Sequence, residues 1–156
     1  MFENLFISSK QERLERLQRL GLPIYDEDAW WVSLPERAET EIAKMQRFSN
    51  SVFTVDGDSL VWHFNTTTNF GNTYLQSIVT DSGFPFKQPK TYVLEPQIKP
   101  SDTIHMYGGG ELCLFRPEEY HSNLSILDLR NKSCAWCFAY DTYINTGEWG
   151  GAEAPH

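Results

Sequence analysis

Positive charge, cysteine and long apolar runs are all scarce in this chain. Thirteen Lys and Arg stand against 21 Asp and Glu in 156 residues, a formal net charge of −8. Affinity for a phosphate backbone needs clustered cations, so this balance argues against a nucleic-acid binder and suits a partner with a basic surface. No apolar run approaches the length of a membrane span. Phe2 to Ile7 is too short for the apolar part of a secretory signal and is followed by charge, so neither a membrane nor an exported location is expected. Three cysteines cannot all pair, which with no export signal implies a reducing, cytoplasmic setting where thiols serve chemistry or packing. The chain also lacks a phosphate-binding loop, a dinucleotide glycine fingerprint, a Gly-x-Ser-x-Gly elbow and a His-Glu-x-x-His helix. Those absences remove most common enzyme classes. Cys134 and Cys137 form one Cys-x-x-Cys with no second pair, short of the four ligands of a zinc site, so no metal or cofactor is expected.

What is present describes a folded protein. Hydrophobic residues make up 40% and aromatics 14%, enough for a real core in a chain of one-domain size. The expected organisation is a single domain over residues 1–156, with a helical part over 1–50, a sheet over 51–95, and a loop with C-terminal helices over 96–156. Ser9 to Leu20 has helical spacing at Leu14, Leu17 and Leu20, and Ser9 with Glu12 has the spacing of a capping box. Pro35 to Phe48 predicts a second helix, with Ile42, Met45 and Phe48 as its apolar edge. Between them, Trp30-Trp31 is expected in the core, since burial is the usual fate of such aromatic area.

From Ser51 the period changes to two. Val52 to Val55 and Leu60 to Phe64 flank Asp56-Gly57-Asp58, a hairpin signal; Thr73 to Val79 and Thr91 to Leu94 follow. Four successive antiparallel strands make a meander, expected to be packed on one face by the N-terminal helices. His63, between Trp62 and Phe64, is expected as a satisfied core histidine. Further on, Leu124 to Leu129 suggests a short helix, and Ser133 would cap a longer one over Cys134 to Asn145, stopped by Gly147.

One stretch concentrates the chemical possibilities: His105-Met-Tyr-Gly-Gly-Gly-Glu-Leu-Cys113-Leu114. Gly108, Gly109 and Gly110 should form a tight, bare turn that leaves room for another chain to lie against it. Cys113 follows and is the candidate nucleophile, which requires a thiol that can ionise and be reached. His105 could approach it if the turn doubles back, as a base or as a brace for the loop. On composition alone, a buried hydrophobic role for Cys113 is the stronger reading.

The order of an N-terminal helix, a meander, Tyr92-Val-Leu-Glu-Pro96, His105-Met-Tyr and Gly110-Glu-Leu-Cys-Leu114 resembles the ubiquitin-conjugating enzymes. Gly-Glu-Leu-Cys-Leu with Arg116-Pro117 after it, a Trp/Tyr-rich final helix and Thr146-Gly-Glu-Trp149 resemble more closely the bacterial ubiquitin-conjugating-like proteins of type II CBASS, the cyclic-oligonucleotide anti-phage systems. The likeness is clearest from Gly57 to His156. It implies an α+β, UBC-like fold with N-terminal helices, a four-stranded antiparallel meander, an active-site loop and C-terminal helices. It also implies a thioester on Cys113, with the C-terminus of a CBASS nucleotidyltransferase as acyl donor and a lysine-bearing protein as acceptor.

By that resemblance His105 matches the first residue of a His-Pro-Asn motif, while Met106 and Tyr107 depart from the other two. The absent asparagine leaves backbone N–H groups, the Tyr107 hydroxyl or Asn123 as candidate substitutes. Tyr107 and Gly108 to Gly110 would contact the donor tail; Glu111, Glu118 and Glu119 are candidates to assist the incoming amine. With the family counted, the expectation for Cys113 becomes catalytic. The competing reading is a non-catalytic binding module of the same fold, acting on the same synthase through the Trp30-Trp31 region or the meander face. A zinc or redox role for Cys134 and Cys137 is the third.

Overall fold

A computed structural model describes residues 2–151, with side chains over 9–151. Helix α1 (Phe2–Arg19), a single turn α2 (Trp30–Ser33) and α3 (Pro35–Phe48) precede the strands β1 (Val52–Asp56), β2 (Ser59–Thr67), β3 (Thr73–Thr80) and β4 (Lys90–Glu95). A short 3₁₀ turn (Asp102–Ile104) and a long helix α4 (Ile126–Thr146) complete the order. No helix among the described residues is long and apolar enough to cross a membrane.

The bounds of α3 coincide with those expected from Pro35 and the apolar spacing. Pro35 suits a first turn because the N–H it lacks would be unpaired there anyway. Ala38, Ile42 and Met45 bury one stripe, but Phe48 is exposed, with the Arg47 guanidinium over its ring at 5.1 Å. Ser9 does not cap α1. The helix begins at Phe2, and no Gly or Pro interrupts the chain before Ser9, which sits exposed inside it. Arg13–Glu36 and Arg16–Glu39 join α1 to α3 across the surface at 2.7 and 2.8 Å.

Trp30 and Trp31 are buried, as expected. Their indole N–H groups donate to Thr80 Oγ1 (2.9 Å) and the Pro23 carbonyl (2.7 Å), so each ring fills core volume without an orphaned polar group.

The sheet is an antiparallel meander in the order β1-β2-β3-β4. Leu60, Trp62 and Phe64 of β2 and Tyr74, Gln76 and Ile78 of β3 point inward. The period of two then puts His63 on the outer face. There it is half-buried and bonded to Thr54 Oγ1 at 3.3 Å, so it is paired but not in the core. The inner face is covered by α4 and Trp30, rather than by the N-terminal helices alone.

The expected pair of C-terminal helices is one helix. Ser125 caps α4: its hydroxyl accepts from Asp128 N–H, and the Asp128 carboxylate accepts from Ser125 N–H. Ser133 lies inside the helix with its hydroxyl 2.5 Å from Gln76 Nε2 of β3. Two buried carboxylates anchor this helix. Glu41 of α3 accepts from Arg37 Nε (2.9 Å) and from Ile126 N–H (2.7 Å), while Arg37 also donates to the Ser122 and Leu124 carbonyls. At the other end Asp141 accepts from Thr68, Tyr74 and Asn72 around the β2–β3 connection. Gly147, left-handed at φ 80°, ends α4 and gives its N–H to Tyr143.

Candidate active site

The rigid sheet and α4 hold a small hairpin between them. The Cys113 N–H donates to the His105 carbonyl at 2.9 Å, Tyr107 N–H to Glu111 at 2.8 Å, and Gly110 N–H to Tyr107 at 2.8 Å. The chain therefore doubles back through Gly108 to Gly110, as anticipated, with Gly110 supplying a positive φ of 91°. A Cβ added at any of these three glycines would meet nothing within 4 Å, so the tip is bare. The returning arm lies along β4, an edge strand: Leu112 N–H donates to Thr91, and Glu111 pairs with Tyr92.

Alternation along this hairpin sorts its side chains. Met106 pairs with Leu112, and both are buried in the core. Their neighbours His105, Tyr107, Glu111 and Cys113 consequently share the opposite face. All four ionisable groups of the hairpin stand on one side.

His105 adopts the left-handed region (φ 56°, ψ 51°), which costs a non-glycine residue on the order of 1 kcal/mol. Two tryptophans hold that segment. Trp136 of α4 donates its indole N–H to the Ile104 carbonyl at 2.8 Å, and Trp149 packs against the His105 ring with centroids 4.9 Å apart.

An open cleft of about 740 Å³ lies against this face. His105 and Cys113 line it, with Trp136, Ala139 and Trp149 as an apolar wall and Arg116, Glu118, Glu119 and Lys132 as a charged border. Cys113 is only 4% exposed, yet it borders that cleft.

Burial pushes the Cys113 thiol above its ordinary 9.0. The Tyr107 hydroxyl, by hydrogen bonding, acts in the opposite direction; Glu111 and Asp102 raise it further, and the Tyr107 backbone N–H lowers it. Burial raises the Glu111 carboxyl too, against the nearby Lys90 and Lys87. Tyr107 is raised first by burial and then by its bond to Cys113. A phenol O–H near the sulfur favours negative charge there, whether on a thiolate or on an oxygen formed next to it.

The expected residues do not all converge. His105, Cys113, Glu118 and Glu119 meet at the cleft, Tyr107 reaches the sulfur from beside it, and Gly108 to Gly110 form the tip. Glu111 is not part of the cleft lining, and the charges of Lys90 and Lys87 act on its carboxyl. Asn123 is exposed in the segment before α4 and is not part of the cleft lining. Lys132, Trp136 and Trp149 were not singled out as site residues; only the Thr-Gly-Glu-Trp stretch hinted at the last.

Cys137 is fully buried and its thiol is strongly raised by burial, while Cys134 lies 3.1 Å from Thr66 Oγ1. All three cysteines are free, and no group of His, Cys, Asp or Glu among the described residues could hold a metal ion.

The protein family described as Type II CBASS E2 protein matches residues 41–156. No curated protein matches the chain. Among solved structures, it is similar to a ubiquitin conjugating enzyme E2 from Plasmodium falciparum, with TM-score 0.49 and 21% identity over 65% of this chain and 95% of that one. It is also similar to the ubiquitin conjugating enzyme E2 UbcA1 from Agrocybe aegerita, with TM-score 0.45 and 15% identity over 78% and 96% of the two chains.

Proposed function

Because this chain belongs to the type II CBASS E2 family, we propose that Cys113 carries the C-terminus of a CBASS nucleotidyltransferase as a thioester and delivers it to a lysine amine. The Cys113 thiolate attacks the carbonyl carbon of an activated donor thioester. A new C–S bond forms, the donor's C–S bond breaks, and the leaving thiolate takes up a proton. In the second step a neutral amine attacks the same carbon; its nitrogen gains the acyl group and loses a proton, and Cys113 leaves as thiolate. Exchange between thioesters is nearly balanced in energy, so a reachable sulfur and a site for the transient oxyanion matter more than a strong base.

The single observation that carries this reading is Cys113 itself, at the border of an open cleft and on the hairpin face that also bears His105 and Tyr107. The bare glycine tip offers backbone to an extended donor tail, with Tyr107 beside it. Glu118 and Glu119 border the cleft where an amine would approach, and a carboxylate there can hold the incoming ammonium and accept its proton as the nitrogen attacks.

The test uses the C-terminal peptide of the partner nucleotidyltransferase, prepared as a mercaptoethanesulfonate thioester. Wild type should form an acyl adduct cleaved by dithiothreitol and hydroxylamine. An equal adduct on Cys113→Ala would sink the proposal.

A second reading is favoured by one observation: Cys113 is almost wholly buried, a setting that raises a thiol and lowers its thiolate fraction at neutral pH. In that reading the fold binds and regulates the synthase without acyl chemistry. Blocking Cys113 with a maleimide separates the two, since a binding module keeps its biological effect.

A further inference from the structure

The stretch after α4 has no role in the scheme above, yet it returns to the cleft. Gly147 turns the chain, and Thr146 Oγ1 accepts the Glu148 N–H at 3.1 Å. Gly150 then lies flat on α4, its N–H 3.4 Å from the Ala139 carbonyl. A Cβ at Gly150 would sit 2.5 Å from the Thr142 Cβ, and one at Gly151 would sit 3.2 Å from the Ala139 Cβ. Only a bare backbone can come that close. The result is that Trp149 is carried to the cleft wall, edge-on to Trp136 at 5.9 Å and to His105 at 4.9 Å.

We propose that Trp149 is a positioning residue, which fixes the His105 ring and, through the His105 carbonyl, the backbone that bears Cys113. The deduction rests on the carrier reading of Cys113. The physical link is short: Trp149 contacts the His105 ring, and the His105 carbonyl holds the Cys113 N–H. Trp136 grips the preceding residue, Ile104, by its carbonyl, so α4 and its tail clasp the left-handed turn from two points. Removing one clasp should let His105 leave its left-handed conformation, because a histidine stays there only while its surroundings hold it. The bare Gly150 is part of the same device. Any larger residue lifts the tail from α4 and withdraws the indole.

The experiment compares wild type with Trp149→Ala, Trp149→Phe, Gly150→Ala, His105→Gln and the Trp149→Ala/His105→Gln double variant. Two rates are measured: acyl transfer from a peptide ending in a glycine mercaptoethanesulfonate thioester, and alkylation of Cys113 by iodoacetamide. Trp149→Ala should slow acyl transfer about tenfold, Gly150→Ala should do the same with the tryptophan still present, and Trp149→Phe should restore most of the rate. In the double variant the loss should equal that of His105→Gln alone, since the indole acts through the imidazole. Proton NMR gives the independent readout: the His105 ring resonances should carry a ring-current shift from the indole in wild type and lose that shift in Trp149→Ala and Gly150→Ala.

Additive losses in the double variant, an unchanged rate in Trp149→Ala, or unmoved His105 resonances would each overturn the role of Trp149. If wild type is alkylated normally at Cys113 but takes no acyl group, it is the carrier reading that fails. The NMR shift still reports the clasp in that case.

Discussion

Cys113 and Cys137 are both buried thiols held above their ordinary range, and they sit in opposite kinds of surroundings. Cys137 lies on a helix anchored at both ends by buried carboxylates, pressed on the sheet, near Cys134 and Asp141. Cys113 ends a short hairpin arm, with hydrogen-bond donors on one side and an open cleft on the other. Burial alone therefore does not separate a packing thiol from a chemical one. The difference lies in which groups answer the charge once it forms and in whether a second molecule can arrive.

The largest test of this contrast is the acyl adduct: Cys113→Ala should abolish it, whereas Cys137→Ala should leave it intact, as mass spectrometry of the modified chain would show. Next comes native alkylation by iodoacetamide. Cys113 should react roughly 100-fold faster than Cys137, which becomes reachable only through opening of the fold. Comparable rates would erase the distinction. A third experiment narrows the gap from the other side. Glu41→Ala strips a buried carboxylate from Arg37 and from the first N–H of α4, at a cost of about 3 kcal/mol measurable by denaturant unfolding. Alkylation of Cys137 should accelerate about 100-fold as opening becomes easier, with Cys113 little changed.

Smaller effects test the electrostatics of Cys113 itself. Tyr107→Phe removes a bond that favours the thiolate, so the pH profile of alkylation should move to higher pH; Glu111→Gln removes a repelling charge and should move it lower. Smallest is the alkaline stability contributed by Cys137. Its folded pKa is raised above the ordinary 9.0, so the folded form holds the proton more tightly. Stability should be full below pH 9 and fall as pH rises beyond it. Cys137→Ala should cost about 1 kcal/mol near neutrality and flatten that fall, as read from denaturant midpoints against pH.

The sheet and α3 were legible in the sequence because each depends on a local rule: period two between glycine turns, or a helical stripe after Pro35. The turn of the hairpin was legible for the same reason, since glycines reach the positive φ that a tight turn requires, as Gly110 does. His63 departs from the core place its apolar flanks suggest, because alternation sends a residue between two core aromatics outward. The start of α4 was missed although Ser125 and Asp128 carry a capping-box spacing; the apolar positions on either side of Ser133 hid the continuity. Glu41 and Asp141 are buried although carboxylates seldom are. Apart from Arg37, one turn before Glu41, their partners lie on other elements or connections 67 to 85 positions distant, and no local pattern announces such a meeting. Trp149 is similar, because its place beside His105 follows from a glycine lying on α4.

The pairing of the hairpin has a consequence for its length. The returning arm is held in register by the edge strand β4 and by the Met106–Leu112 pair, not by the glycine tip. Deleting a single glycine therefore changes the type of turn at the tip without turning the arm over. The tip can vary in length by single residues while the sulfur keeps its place.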